Sequence, residues 1–182
     1  MVCVPIFSKD FNIKIINNED IIDKLKKIKS SGNKQSISEM YFIDNSTDIS
    51  KYNSFSKLDN YVTVIKEDNK YNLKLVVNNK EYITSVNDLL SGIQILFAFN
   101  YSFIFSINYE LYTLLLDNIL IYIIHTDNNE YYIAFNECVT NDKVTYILEE
   151  LKIKYNFEFD DNLFFDIKED KFTEYKNSRG DI

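Results

Sequence analysis

Apolar positions along this chain follow two periods, and the change from one to the other marks the predicted elements. Alternation, or short apolar runs bounded by Asn, Asp and Ser, predicts strands at 2–7, 11–16, 37–43, 61–65, 71–77, 82–84, 101–107, 119–125, 131–135 and 157–167. Pro5 confines the first of these to a sheet edge, because it has no N–H to give to a ladder. Lys66–Lys70 and Thr126–Glu130 each separate two such runs and predict hairpins, and Asn78-Asn79 predicts a tight turn.

Helical spacing appears in three places. Ile21, Ile22, Leu25 and Ile28 share a face of a Lys-rich helix over 19–30, which Gly32 stops. Val86, Leu89, Leu90, Ile93, Leu96 and Phe97 predict a helix over 85–99, with Ser85 and Asp88 as its capping box and Gly92 marking a close approach by a neighbour. Val144, Ile147, Leu148, Leu151 and Tyr155 predict another over 142–155, capped by Asn141. Tyr109–Leu116 is apolar at nearly every position, where periodicity cannot separate strand from helix, and is read as a short helix. The polar run 44–60 is read as an exposed loop.

The expected fold is α+β: antiparallel meanders packed by the helices at 85–99 and 142–155, with the Lys-rich helix outside. A length of 182 residues predicts one domain over 1–175, followed by a flexible polar tail at 176–182. The stretch Leu89–Tyr109 carries no charge and is long enough to span a bilayer. Gln94, Asn100, Ser102 and Asn108 interrupt it, however, and Asp88 and Glu110 border it where a span would carry Lys or Arg. The reading is therefore a buried helix and strand in a cytoplasmic protein, since the first residues also lack the pattern of a secretory signal.

Composition narrows the partners. With 14 Tyr and 14 Phe the chain has ample material for a core, and with three Gly and one Pro its turns fall to Asn and Asp. A formal charge of −8 argues against direct nucleic-acid binding and against anionic membrane surfaces. Arg179 is the single arginine, so a bidentate guanidinium fork for phosphate is nearly absent and any phosphate site must use lysines or backbone amides.

Candidate chemistry is thin. His125 is the lone histidine, and Cys3 and Cys138 have neither metal nor redox spacing. Asp160, Asp161 and Asp166 lack the spacing and turn glycine of a calcium loop. No catalytic residue, metal or cofactor is assigned, and phosphate-binding glycine loops are absent. The segment from Phe157 to Tyr175 carries seven acids against two lysines, and Glu158, Asp160, Asp161, Asp166, Glu169 and Asp170 are assigned as a partner-binding face. These features point to a small acidic protein-binding or inhibitory module, of the immunity-type or viral or phage anti-defence kind, that docks a basic surface of a larger protein. The alternatives are a small-ligand enzyme using His125 with Tyr and Lys side chains, and a self-associating structural subunit.

Overall fold

The computed structural model describes residues 12–15, 33–116, 118–128, 131–135, 142, 146, 149, 155–159 and 163–180. In chain order the elements are β1 (Asn12–Ile15), β2 (Asn33–Asp44), β3 (Asn60–Glu67), β4 (Lys70–Val77), β5 (Lys80–Val86), α1 (Leu89–Ala98), β6 (Tyr101–Leu116), β7 (Ile119–Thr126), β8 (Tyr131–Phe135), β9 (Tyr155–Phe159) and α2 (Leu163–Arg179). They belong to two compact units, 36–108 with 164–182 and 1–35 with 109–163.

In the first unit the strands run in the order β5, β4, β3, β2, β6, and β2 to β5 form an antiparallel meander. The hairpin turns use Asp68 (φ 51°), Asn78 (φ 49°) and Asn79 (φ 62°), left-handed positions that Asn and Asp tolerate because their short side chains bond locally. Strand alternation then sorts the side chains. Phe42, Val62 and Leu75 lie in one cross-strand row, and Tyr41, Thr63 and Lys74 lie in another on the opposite face.

α1 covers the first of these faces. Leu96 joins Phe42, Val62 and Val64 in a buried cluster, with Leu89, Ile93 and Tyr101 packed around it. The cap of α1 is Asp88, which accepts from Ser91 N at 2.8 Å. Ser85 remains in β5 and donates to Asn72 Oδ1 at 3.0 Å, so the proposed capping box is corrected by three residues. A Cβ at Gly92 would meet Val86 Cγ2 at 3.6 Å, an ordinary contact, so the close approach expected there is not required.

α2 belongs to the same unit. Phe172, 1% exposed, sits with its ring 6.0 Å from that of Phe55. Phe55 begins a 3-10 turn, Phe55–Lys57, and an earlier one spans Ile49–Lys51. Ile49, Phe55 and Leu58 are all buried, so the run read as an exposed loop is a core contributor: its few apolar residues are all turned inward.

In the second unit the order is β6, β7, β8, β1, β9, with antiparallel pairing from β6 to β9. β6 is one strand of 16 residues, and Tyr109–Leu116 is not a helix. Its partner decides the matter: a turn at Asn118 (φ 64°) folds β7 back so that Leu116 pairs with Ile119 and Glu110 with His125. Leu111, Ile121, Ile123 and Ile133 bury the aliphatic interior of this sheet.

The α+β expectation is thereby corrected to a sheet-dominated fold. The residues described in it form nine strands and the two helices α1 and α2, with Asp142, Tyr146 and Glu149 also helical. The Lys-rich helix at 19–30 and most of the helix at 142–155 lie outside the described residues. The strand read over 157–167 is divided, with β9 ending at Phe159 and α2 beginning at Leu163. α2 continues through Lys176 to Arg179, and Lys176 Nζ donates to Tyr52 O at 2.7 Å, within the segment read as a tail. No helix among the described residues is long and apolar enough to cross a membrane, and Leu89–Tyr109 is shared between α1 and β6.

Candidate functional site

The face of the first sheet opposite α1 carries charged and phenolic side chains that range from buried, at Glu39, to exposed, at Glu81. Glu39 and Tyr41 come from β2, Tyr61 from β3, Lys74 from β4 and Glu81 from β5, while α2 brings Lys168. Register explains the grouping: Tyr61 pairs with Val76, which pairs with Glu81, and Lys74 sits one row away. A cavity of about 240 Å³ opens here, with Phe55, Ser56, Tyr61, Asn79, Glu81 and Lys168 among its walls.

Most polar groups in this cluster are paired. Glu39 is buried and accepts from the Tyr41 hydroxyl. Lys74 Nζ lies 2.5 Å from Glu81 Oε1. The ammonium of Lys168 lies 5.5 Å from the centroid of the Tyr41 ring, within cation–π range. Tyr41 is itself stacked on Phe105 with ring centroids 4.8 Å apart. Position along α2 is set by the neighbouring Glu169, whose carboxylate accepts from Phe55 N at 2.7 Å and Ser56 N at 2.9 Å.

Burial dominates the electrostatics. Desolvation pushes Lys168 below the ordinary lysine value, and the carboxylates of Glu39 and Glu81 offset only part of that. Lys168 is partly and not fully buried, so the direction of its shift, and not its size, is what the geometry supports. Desolvation also pushes the Tyr61 phenol up to about 12, with Glu81 and Glu39 adding to the shift. Tyr61 is therefore a neutral hydroxyl donor throughout the physiological range.

The second unit has a smaller polar cluster. Glu110 accepts from Lys34 Nζ at 2.7 Å and from the Tyr112 hydroxyl at 3.0 Å, and His125 Nδ1 lies 3.3 Å from its Oε2. Lys34 Nζ is also 5.5 Å from the centroid of the Tyr112 ring. The Lys34 ammonium is the main influence holding Glu110 below the ordinary carboxylate value, and Glu110 in turn holds Lys34 above its own. His125 thus stands with a Tyr and a Lys, as one sequence alternative required, but around a carboxylate that sequence reasoning had placed on a helix.

The acidic residues assigned to a partner-binding face do not form one strand face. Glu158 is in β9, Asp166, Glu169 and Asp170 are on α2, and Asp160 and Asp161 lie outside the described residues, as does Cys138. Glu169 is engaged with backbone amides, and Asp170 is exposed. Arg179 Nη1 donates to the Tyr175 hydroxyl at 2.8 Å. Among the described residues no three His, Cys, Asp or Glu side chains are grouped so as to hold a metal ion.

The cluster of Glu39, Tyr61, Lys74, Glu81 and Lys168 was missed because its members are scattered over 130 positions of sequence. One signal was legible. Lys74 sits between Leu73 and Leu75, and Glu39 lies two residues before Tyr41, so a charge occupies a strand position of the same parity as core residues.

No protein-family model matches the sequence, and no curated protein matches it. Solved structures do share its fold. The PH1819 protein from Pyrococcus horikoshii OT3 superposes with a TM-score of 0.53 at 14% identity, over 86% of this chain and 96% of its own. HpAC1 from Hippeastrum, described as revealing a dominant triphosphatase activity, superposes with a TM-score of 0.57 at 10% identity, over 82% of this chain and 90% of its own. The expectation of an inhibitory protein-binding module is overturned here: the fold is shared with HpAC1, for which a triphosphatase activity is described, and nothing in the likeness supports an immunity-type or anti-defence antagonist. At these identities the likeness concerns fold alone, and that fold is sheet-dominated.

Proposed function

We propose that the protein is a small-ligand enzyme that binds a compact phosphate-bearing substrate, with inorganic triphosphate as the substrate class, in the cavity beside Lys168. The observation that carries this reading is the placement of Lys168, Tyr61 and Glu81 together in the wall of one concave site. Ionisable groups shifted by burial inside a cleft are the usual mark of a functional site. The triphosphatase activity described for HpAC1, whose fold the chain shares, supports the substrate class.

The size of the site argues for a compact ligand. Pockets that enclose drug-sized molecules run from about 300 to 1,000 Å³. A cavity of about 240 Å³ fits an inorganic phosphate chain better than a whole nucleotide, whose nucleoside would remain outside.

The groups present have separable roles. A partly buried ammonium at Lys168 attracts a phosphate oxygen more strongly than the same charge in bulk water. Tyr61, neutral across the physiological range, can donate to a second oxygen. Glu81, already bonded to Lys74, is an acceptor suited to orienting a water. Phosphoryl transfer commonly recruits a divalent cation, but the described residues do not group as a ligand set for one, and no step is routed through it.

The test is phosphate release from tripolyphosphate and from ATP, with and without added Mg²⁺ or Mn²⁺, together with calorimetric binding of tripolyphosphate. Tripolyphosphate should bind and turn over in preference to ATP, and Lys168→Met should weaken binding by about tenfold or more, a loss of at least about 1.4 kcal/mol. No binding at millimolar tripolyphosphate under any of these conditions, or binding untouched by Lys168→Met, would overturn the reading.

A further inference from the structure

On the other face of the same sheet, beyond the end of α1, lies an apolar groove of about 590 Å³ walled by Val62, Leu73, Leu75, Leu96, Phe99 and Tyr101. Its volume falls in the range of small-molecule sites. Two of its aromatic side chains stand largely in water: Phe99 is 72% exposed and Tyr82, on β5, 57%. Exposure of that much aromatic surface in one place marks a binding surface more often than chance.

Asp44 is the one charged side chain in this lining. It ends β2, and strand alternation puts it on the face of Met40 and Phe42. Its Oδ1 accepts from Ser46 N and Ser46 Oγ, both at 2.7 Å, and Oδ2 takes no hydrogen bond from the described residues. The two hydrogen bonds hold its carboxyl below the ordinary range, so it is ionised at neutral pH.

The carboxylate and the aromatic wall are fixed relative to each other. Asn100, at φ 66°, turns the chain from α1 into β6. Its carbonyl accepts from Asn45 N at 2.9 Å, and its side chain accepts from Asn45 Nδ2 at 2.9 Å. Ser102 Oγ donates to the same asparagine. Phe99 and Tyr101 are thus fastened beside the residue that follows Asp44, and the groove is formed before any ligand arrives.

We propose that this groove is a second ligand site, for a small organic cation: an amine or quaternary ammonium compound with an apolar body. The apolar body would displace water from Leu73, Leu75 and Leu96. The cationic head would pair with the open oxygen of Asp44 near the rings of Phe99, Tyr101 and Tyr82, a combination that favours ammonium groups. Carboxylates and phosphates are repelled by the same carboxylate, so this site and the Lys168 cavity select opposite charges. The inference stands on different residues from the proposed function and survives its failure.

The test is titration of the protein with octylammonium, octanol and octanoate below their micellar concentrations, followed by calorimetry and by amide shifts in β4 and α1. Octylammonium should bind at least about tenfold more tightly than octanoate. Asp44→Asn, which keeps an acceptor for Ser46, should abolish that preference and retain octanol binding. Thr84→Trp, on the groove-facing side of β5, should block all three ligands with an unchanged circular dichroism spectrum. Equal binding of octylammonium and octanoate, or a preference that persists in Asp44→Asn, overturns the proposal. So does saturable binding of none of the three, or a concentration-dependent dimer that Thr84→Trp dissociates without any ammonium selectivity.

Discussion

The ammonium of Lys168 lies 5.5 Å from the centroid of the Tyr41 ring, and the Tyr41 hydroxyl donates to the buried carboxylate of Glu39. A lysine from α2 is thereby inserted beside a strand carboxylate across an aromatic ring. The arrangement costs the fold something, since the Lys168 pKa is lowered in spite of Glu39 and Glu81. A depressed lysine pKa means that the folded state releases its proton more readily than the unfolded chain. The stabilising contribution is therefore present above the ordinary value of 10.5 and is lost as pH falls through the folded pKa.

Lys168→Met should consequently leave the melting temperature at pH 7 unchanged or higher while removing ligand binding. Stability traded for function is a familiar feature of binding sites. Thermal melts of the two proteins at equal salt decide the point, and a drop of several degrees in the variant would show that Lys168 is a structural ion-pair partner instead.

Tyr61 gives the opposite sign. Its folded pKa is raised from 10.0 to about 12, so its contribution to stability is complete below pH 10 and is lost as pH rises through 12. Two units correspond to about 2 to 3 kcal/mol at most. Urea midpoints measured from pH 9 to pH 12 should fall more steeply for the native protein than for Tyr61→Phe. Parallel curves would mean that the phenol is hydrated.

How far the sequence disclosed this fold differs from residue to residue. The Asn and Asp turns were legible because Asp68, Asn78, Asn79 and Asn118 adopt the left-handed backbone that their side chains tolerate. β6 was not, since a stretch such as Tyr109–Leu116, apolar almost throughout, has the same appearance in a helix and in a strand. Reading it as a helix also hid the Glu110–His125 pair, which exists only through cross-strand register. α2 was concealed by the alternation of aromatics and acids that runs from β9 into its first turn. The spacing of Phe165, Glu169, Phe172 and Lys176 was the helical signal, and the side chains of Glu169, Phe172 and Lys176 make contacts across the unit.

Glu169, one acid of the run assigned to a partner-binding face, is engaged within the fold. Its carboxylate receives the two backbone amides that open the Phe55–Lys57 turn. Hydrogen bonds to a charged group contribute about 1.5 to 3 kcal/mol each, and the loss here is shared with water that enters in their place. Glu169→Ala should destabilise the protein by about 2 kcal/mol, and Glu169→Gln by less, because the amide oxygen still accepts one N–H. Chemical denaturation of both variants measures this. An alanine variant as stable as the native protein would indicate that α2 is held by Phe172 alone.

Glu110 provides the last test, confined to the second unit. It accepts from Lys34 and Tyr112 and lies beside His125, so it is the common acceptor of three side chains from β2, β6 and β7. Its pKa is lowered chiefly by Lys34, which places its contribution above the ordinary carboxylate value of 4.5 and removes it as pH falls through the depressed one. The side chains of Lys34 and Glu110 are 51% and 34% exposed, so solvent screens most of the attraction and the pair is worth no more than about 1 kcal/mol. Glu110→Gln keeps an oxygen for Tyr112 and removes only the charge. Amide exchange at the Tyr109–Thr126 and Leu111–Ile124 pairs should therefore quicken slightly at pH 7 in the variant. The difference from the native protein should vanish below pH 4 and shrink in 1 M salt, where the Debye length falls to about 3 Å. A difference that is large and indifferent to both pH and salt would assign Glu110 a packing role in place of an electrostatic one.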